Sequence, residues 1–175
     1  MAIKYLKSPW CWYALAAIVV LLDQWSKMAI VAHLEYNTPV VFTSFFNFTL
    51  LYNTGAAFSF LSDAGGWQRW FFTAIAVVLS VVFIVWLARI GREKWLEALA
   101  ISLILGGAVG NVYDRIMHGH VVDFIVVHYR DNYFPAFNIA DSAISVGAVL
   151  LILGAFVEGK GKQEKAKQDK AMKDA

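Results

Sequence analysis

Apolar positions along the chain gather into four runs, each close to the roughly 20 residues that a helix needs to cross a bilayer core. The predicted spans are 10–32, 67–88, 96–113 and 136–157. The first follows Lys4 and Lys7 in the manner of a signal peptide. Its hydrophobicity resumes after Asp23 and three further runs follow, so it is read as an uncleaved helix. Trp67 and Trp70 stand where interfacial anchors belong. The third and fourth runs are short unless the residues around Asp114 and Asp141 lie at the membrane boundary. Two longer loops, 33–66 and 114–135, separate the runs on one side. Within the first, residues 40–52 are rich in β-branched and aromatic side chains and partly alternate, which predicts two or three short strands at the membrane surface. Residues 121–127 form another strand-like run. The fold expected is a membrane all-α protein of four transmembrane helices with a small extracytoplasmic β-structure, built from one membrane domain, 1–157. The tail, 158–175, is basic, low in complexity and without an apolar face, and is expected to be disordered.

Composition turns this pattern into a class. Of 175 residues, 59% are apolar and 16% charged, against about 25% charged in soluble domains. Ten of the 28 charges lie in the last eighteen positions and two more are Lys4 and Lys7, leaving sixteen for the 150 residues from Ser8 to Val157. That is too few to cover a soluble fold of this size, and the chain holds too much Phe, Trp and Ile for a disordered one. Eleven of the fifteen Lys and Arg residues, including Arg89, Arg92 and Lys94, fall on the side of the termini. By the positive-inside rule both termini are cytoplasmic and the two longer loops face outwards. The formal net charge of +2 is therefore topological, and no nucleic-acid partner is expected. A lone cysteine, Cys11, leaves no disulfide framework.

Ionisable groups in or beside membrane spans are costly and are functional candidates by default. Asp23 and Lys27, at i and i+4, can pair on one helical face; they are either a structural ion pair or an orienting element of a site. Gly106 and Gly110 permit close helix approach. Asn111, Asp114 and Arg115 follow within about a turn, where Asp114 could hold Arg115 in place or the group could cap the helix. Asp123 is the sole charge in Val121 to Val127, and Asp141 stands at the start of the fourth run. Each alone reads as a turn or capping residue. Two carboxylates returning to the same interface would share a proton if they approach, one acting as base toward water while the other donates to a carbonyl. His118, His120 and Asp123 could ligate a metal, but the two histidines flank Gly119 in an expected turn and no fourth ligand is evident. Ser59, Ser62 and Ser142 lack a triad or Ser-Lys partner. A relay of Asp23, Asp114 and Asp141 in a small proton-coupled transporter is the rival reading.

Five ordered segments, Leu22-Asp23-Gln24-Trp25-Ser26-Lys27, Tyr52 to Ser59, Gly110 to Arg115, Val121 to Phe124 and Phe137 to Ser142, resemble the motifs of the lipoprotein signal peptidases, the aspartic signal peptidase II family. The resemblance implies a bacterial inner-membrane endopeptidase that cuts diacylglyceryl-modified prolipoproteins before the lipidated Cys and releases the signal peptide. It maps the catalytic pair to Asp123 and Asp141, and supporting roles to Asp23, Lys27, Asn53, Asn111, Asp114, Arg115 and Asn138. It further implies binding of the cyclic peptide antibiotic globomycin. No metal or organic cofactor is expected. The partners expected are the prolipoprotein and membrane lipids, and the chain is expected to act as a monomer.

Overall fold

The distribution of side chains is inside out relative to a soluble protein. Leu21, Leu22, Val78, Val81 and Phe156 are exposed, whereas Asp23, Lys27, Ser102, Asp114 and Asn138 are buried. Lipid is the solvent that rewards this arrangement. The computed structural model describes residues 9–55, 66–91 and 93–173. Its elements are helix α1 (Pro9–His33), strands β1 (Val40–Thr43) and β2 (Phe46–Asn53), helices α2 (Trp67–Arg89) and α3 (Trp95–Met117), strands β3 (Val121–Tyr129) and β4 (Asn132–Tyr133), and helix α4 (Ile139–Lys173). Among the described residues, four helices are long and apolar enough to cross a membrane: Trp10–His33, Trp67–Arg89, Trp95–Met117 and Ile139–Val157.

α3 packs against the other three helices, and its small residues explain why. A Cβ on Gly106 would lie 2.7 Å from the Ala16 carbonyl oxygen on α1, and one on Gly110 would lie 2.6 Å from Asp23 Oδ2. Only glycine lets the two backbones, and the Asp23 carboxylate, approach this closely. At one end of the bundle Trp12, Leu87, Ala98 and Ile101 form an apolar core; Leu50, Val122 and Phe124 form another beneath the strands.

The strands pair antiparallel in the order β1-β2-β3-β4. Leu51 faces Asp123, Tyr52 faces Val122 and Asn53 faces Val121. Phe137 adds a further bridge to Ile125, with Ile125 N–H donating to the Phe137 carbonyl at 2.8 Å and Phe137 N–H donating back at 3.1 Å. This bridge delivers the start of α4 to β3.

Three expected boundaries differ. α3 continues to Met117 rather than ending at 113, so Asp114 and Arg115 belong to its final turns and not to the outer loop. α4 begins at Ile139 rather than 136. The tail, expected to be disordered, is helical through Lys173. Its Lys, Glu, Gln and Ala are good helix formers, and a helix already nucleated by the membrane span is extended without a second nucleation cost. The segment Ala56 to Ser59, Ser62, Arg92, Lys4 and Lys7 lie outside the described residues.

Candidate active site

The site is built on the first turn of α4. Asn138 precedes Ile139 as the N-cap: its side-chain Oδ1 accepts from Asp141 N–H at 2.9 Å, and Asp141 Oδ2 accepts from Asn138 N–H at 3.4 Å. This is a reciprocal capping box, with Asp141 at the third helical position. The intervening Ala140 N–H is satisfied from another helix, donating to Asp23 Oδ1 at 2.9 Å. The capping reading of Asp141 is thus correct as far as it goes. Its other oxygen, Oδ1, accepts from Asn111 Nδ2 at 2.8 Å, and Asp141 lines a cavity of about 430 Å³ together with Asn53, Arg115, Phe137 and Ser142.

Asn138 joins the two carboxyls. Its Nδ2 donates to Asp123 Oδ1 at 2.8 Å, while Asn53 Nδ2 donates to Asp123 Oδ2 at 3.0 Å. Asp123 is 3% exposed. Burial pushes its carboxyl up to about 7, and the neighbouring Asp141 charge pushes the same way against the pull of the Asn53 and Asn138 hydrogen bonds. A carboxyl poised near neutrality can give or take a proton at working pH.

Behind this pair lies a buried ion cluster. Lys27 Nζ is 2.7 Å from Asp23 Oδ2 and 2.9 Å from Asp114 Oδ2, and it donates to Asn111 Oδ1 at 3.0 Å. Lys27 is 3% exposed, so the pair with Asp23 does not snorkel. It turns inward to Asn111 and so to Asp141. The expectation that Asp114 holds Arg115 is not met. Asp114 pairs with Lys27 and accepts from Val122 N–H at 3.3 Å, whereas Arg115 reaches the Gly55 carbonyl at 3.3 Å.

Helical and strand periodicity explain the division. On α3, Asn111 and Arg115 share one face and Asp114 another, which His118, the C-cap residue, continues. Val121 and Asn53 lie with the first face, while His120, Val122 and Tyr52 lie with the second, on a separate cavity of about 370 Å³. His118 and His120 therefore flank the far cavity, with ring centres 6.2 Å apart. Among the described residues, no three His, Cys, Asp or Glu side chains group as metal ligands.

All nine residues singled out from sequence converge at one end of the bundle. Gln24 was not among them. Its amide donates to Asp114 Oδ1 at 2.9 Å and to the Gly110 carbonyl and Asp23 Oδ2 at 3.2 Å each. An uncharged amide beside Asp23 in an otherwise apolar run was the available signal.

Comparison with known proteins follows the same residues. A family model described as signal peptidase (SPase) II matches residues 15–157. The chain is 66% identical over 148 residues to the lipoprotein signal peptidase of Cellvibrio japonicus, covering 85% of this chain and 87% of that one. It is 57% identical over 141 residues to that of Teredinibacter turnerae, covering 81% and 84%. A solved structure, described as a bacterial membrane enzyme obtained by the in meso method at 2.3 Å, superposes with a TM-score of 0.78 at 31% identity, covering 87% of this chain and 91% of the other. The family match takes in most of the first span, the other three spans, the strands and every residue of the site just described, and the chain belongs to the signal peptidase II family.

Proposed function

We propose that the protein is a membrane aspartic endopeptidase that cleaves diacylglyceryl-modified prolipoproteins before the lipidated Cys, with Asp123 and Asp141 as its catalytic pair. The observation that carries this reading is the pair itself: two carboxyls from β3 and α4 at the end of four membrane helices, bridged by Asn138, whose side-chain amide donates to Asp123 and whose backbone N–H donates to the Asp141 carboxyl, with Asp123 held near neutrality. The pair holds one proton at rest. The ionised carboxylate takes a proton from a water as its oxygen adds to the scissile carbonyl, and the protonated partner donates to the carbonyl oxygen. Collapse of the tetrahedral intermediate breaks the C–N bond: the proton gained from water passes to the departing amine of the lipidated Cys, one hydroxyl of the intermediate returns its proton to the partner carboxylate, and the new carboxylic acid ionises into solvent. The signal peptide leaves as a carboxylate. Asn53 and Asn138 orient Asp123, Asn111 orients Asp141, and Arg115 offers donors to a substrate carbonyl.

A substrate anchored by a signal helix and two acyl chains presents its scissile bond at the membrane boundary, where the cavity lies. Family membership and four apolar helices make this a multi-pass protein of the bacterial inner membrane. The excess of Lys and Arg beside the termini supports cytoplasmic ends and a site at the outer face. In this reading membrane lipids cover the exposed aliphatic faces, globomycin-type cyclic peptides compete for the same cavity, and the chain works as a monomer. A transporter relay would distribute carboxylates through the membrane depth, whereas here they meet around Asn111 and Asn138.

The test is cleavage of a diacylated prolipoprotein by equal amounts of inserted wild type, Asp123→Asn and Asp141→Asn. Each variant should lose turnover by at least about 10³-fold, and the double variant should be scarcely worse, because residues acting as a unit are non-additive. Near-normal turnover in either single variant would remove that residue from the mechanism.

A further inference from the structure

α3 ends at Met117 because the next residues leave the helix through Gly119, whose φ of +85° is the left-handed region. The carbonyls of Arg115 and Ile116 thereby lose the N–H groups that a continuing helix would supply. A side chain from another helix replaces them. Arg69, in the first turn of α2, donates Nε–H to the Arg115 carbonyl and an Nη2–H to the Ile116 carbonyl, the latter at 3.0 Å. Its positive charge sits at the negative end of the α3 dipole. The guanidinium is confined on two further sides. Its carbon lies 4.7 Å from the Trp70 ring centre, and Nη1 lies 3.0 Å from where a Cβ on Gly119 would stand.

This clamp bears on the site through two short levers. Arg115 carries one of the clamped carbonyls, and its own guanidinium lines the catalytic cavity. Asp114, one residue earlier, accepts the N–H of Val122, which immediately precedes Asp123. A shift of the last turn of α3 therefore moves Arg115 directly and moves β3 at Asp123 through both Asp114 and the Gly119 turn.

We propose that Arg69 is a positioning residue for peptide cleavage: by tying off the last turn of α3 and the Gly119 turn, it fixes where Arg115 and Asp123 stand relative to Asp141. The inference rests on the reading of Asp123 and Asp141 as the catalytic pair. A misplacement of this kind costs turnover more than binding, by up to about a hundredfold.

The experiment uses full-length enzyme in lipid vesicles with diacylated prolipoprotein, and measures kcat, KM and the pH dependence of kcat for wild type, Arg69→Gln and Arg69→Lys, per folded enzyme. Arg69→Gln should lower kcat about ten- to a hundredfold with KM within about twofold, and should displace the pH profile, because the carboxyl pair is re-spaced. Arg69→Lys, which keeps the charge and can serve one carbonyl, should recover part of the loss. Wild-type kcat and pH profile in Arg69→Gln would overturn the proposal. So would a loss confined to the amount of folded enzyme, or one that Arg69→Lys leaves unrelieved. If Arg69→Gln does not accumulate, Gly119→Ala, which crowds Nη1, carries the same readouts, and a wild-type profile there overturns the proposal. Asp123→Asn run in parallel separates the two levels. If it stays active, the catalytic reading fails; if it is inactive while Arg69→Gln is normal, the clamp alone fails.

Discussion

Asp123 should make folding of this protein pH-dependent in a direction opposite to that of most carboxylates. Burial, with the Asp141 charge second, raises its carboxyl from the ordinary value of 3.8 to about 7. A carboxyl raised in the folded state holds its proton more tightly there than in the unfolded chain. Folding is therefore favoured in acid and loses that contribution as the pH climbs from about 4 through about 7. Each unit of difference corresponds to about 1.36 kcal/mol. Between pH 5 and pH 8 the folded state gives up about two units of this, or about 3 kcal/mol, before titration is complete. Asp123→Asn keeps the shape and cannot ionise, so it should lack this component. The assay is reversible unfolding of wild type and variant in detergent micelles, followed by far-ultraviolet circular dichroism at pH 5 and pH 8. The variant should be close to wild type at pH 5 and clearly more stable at pH 8. Parallel pH dependences, or a wild type that gains stability over the variant as pH rises, would show that Asp123 is not held near neutrality and would refute the argument from burial.

Gly110→Ala should be destabilising by about 1–3 kcal/mol and should lower activity, since its Cβ would lie 2.6 Å from Asp23 Oδ2 and Asp23 holds the first turn of α4; unfolding midpoints and cleavage of the same preparation check both. Reporter fusions at Gly159 and near Ser62 should give opposite readouts, with Gly159 cytoplasmic, and equal readouts would refute the four-span topology. Truncation after Gly161 should leave cleavage per inserted enzyme unchanged, because the removed residues lie beyond the family match at 157; loss of turnover in a well-inserted truncation would give the helical tail a role.

The four spans were legible because lipid imposes a length and a composition on anything that crosses it. The residues of the site were legible for the same reason, since Asp23, Lys27, Asp114 and Asp141 stand out against an apolar background. Their partners were not. Asp114 follows Asn111 by three residues and precedes Arg115 by one, and sequence spacing placed all three together. A helix turns 100° per residue, which sends Arg115 to the cavity beside Asp141 and Asp114 to Lys27 on α1. Only the packing of α1 against α3 decides that Lys27 is there. The helical tail is not legible from its own residues, which have no apolar face; continuity with a membrane helix supplies the nucleus. The α4 start was more legible than it looked, because Asn138 and Asp141 have the spacing of a capping box.

The buried cluster of Asp23, Lys27 and Asp114 has no good explanation as a source of stability. Two acids and one base are held out of water, and buried ion pairs of this kind can often be replaced by apolar residues without loss. What distinguishes the cluster is where each group reaches next. Asp23 accepts from Ala140 N–H at the start of α4, Asp114 accepts from Val122 N–H at the start of β3, and Lys27 donates to Asn111, which in turn donates to Asp141. Every member has a second partner on an element that carries a site residue. An apolar replacement could fill the same volume but could not accept from the two backbone N–H groups, which would lose these acceptors in a buried site at a cost of about 1–3 kcal/mol each, and the Asn111 amide oxygen would keep only its longer bond from Asn138 Nδ2 at 3.3 Å. The cluster is expensive as an ion pair and economical as a joint, because it ties the start of α4, the start of β3 and Asn111 to one another around Asp123 and Asp141.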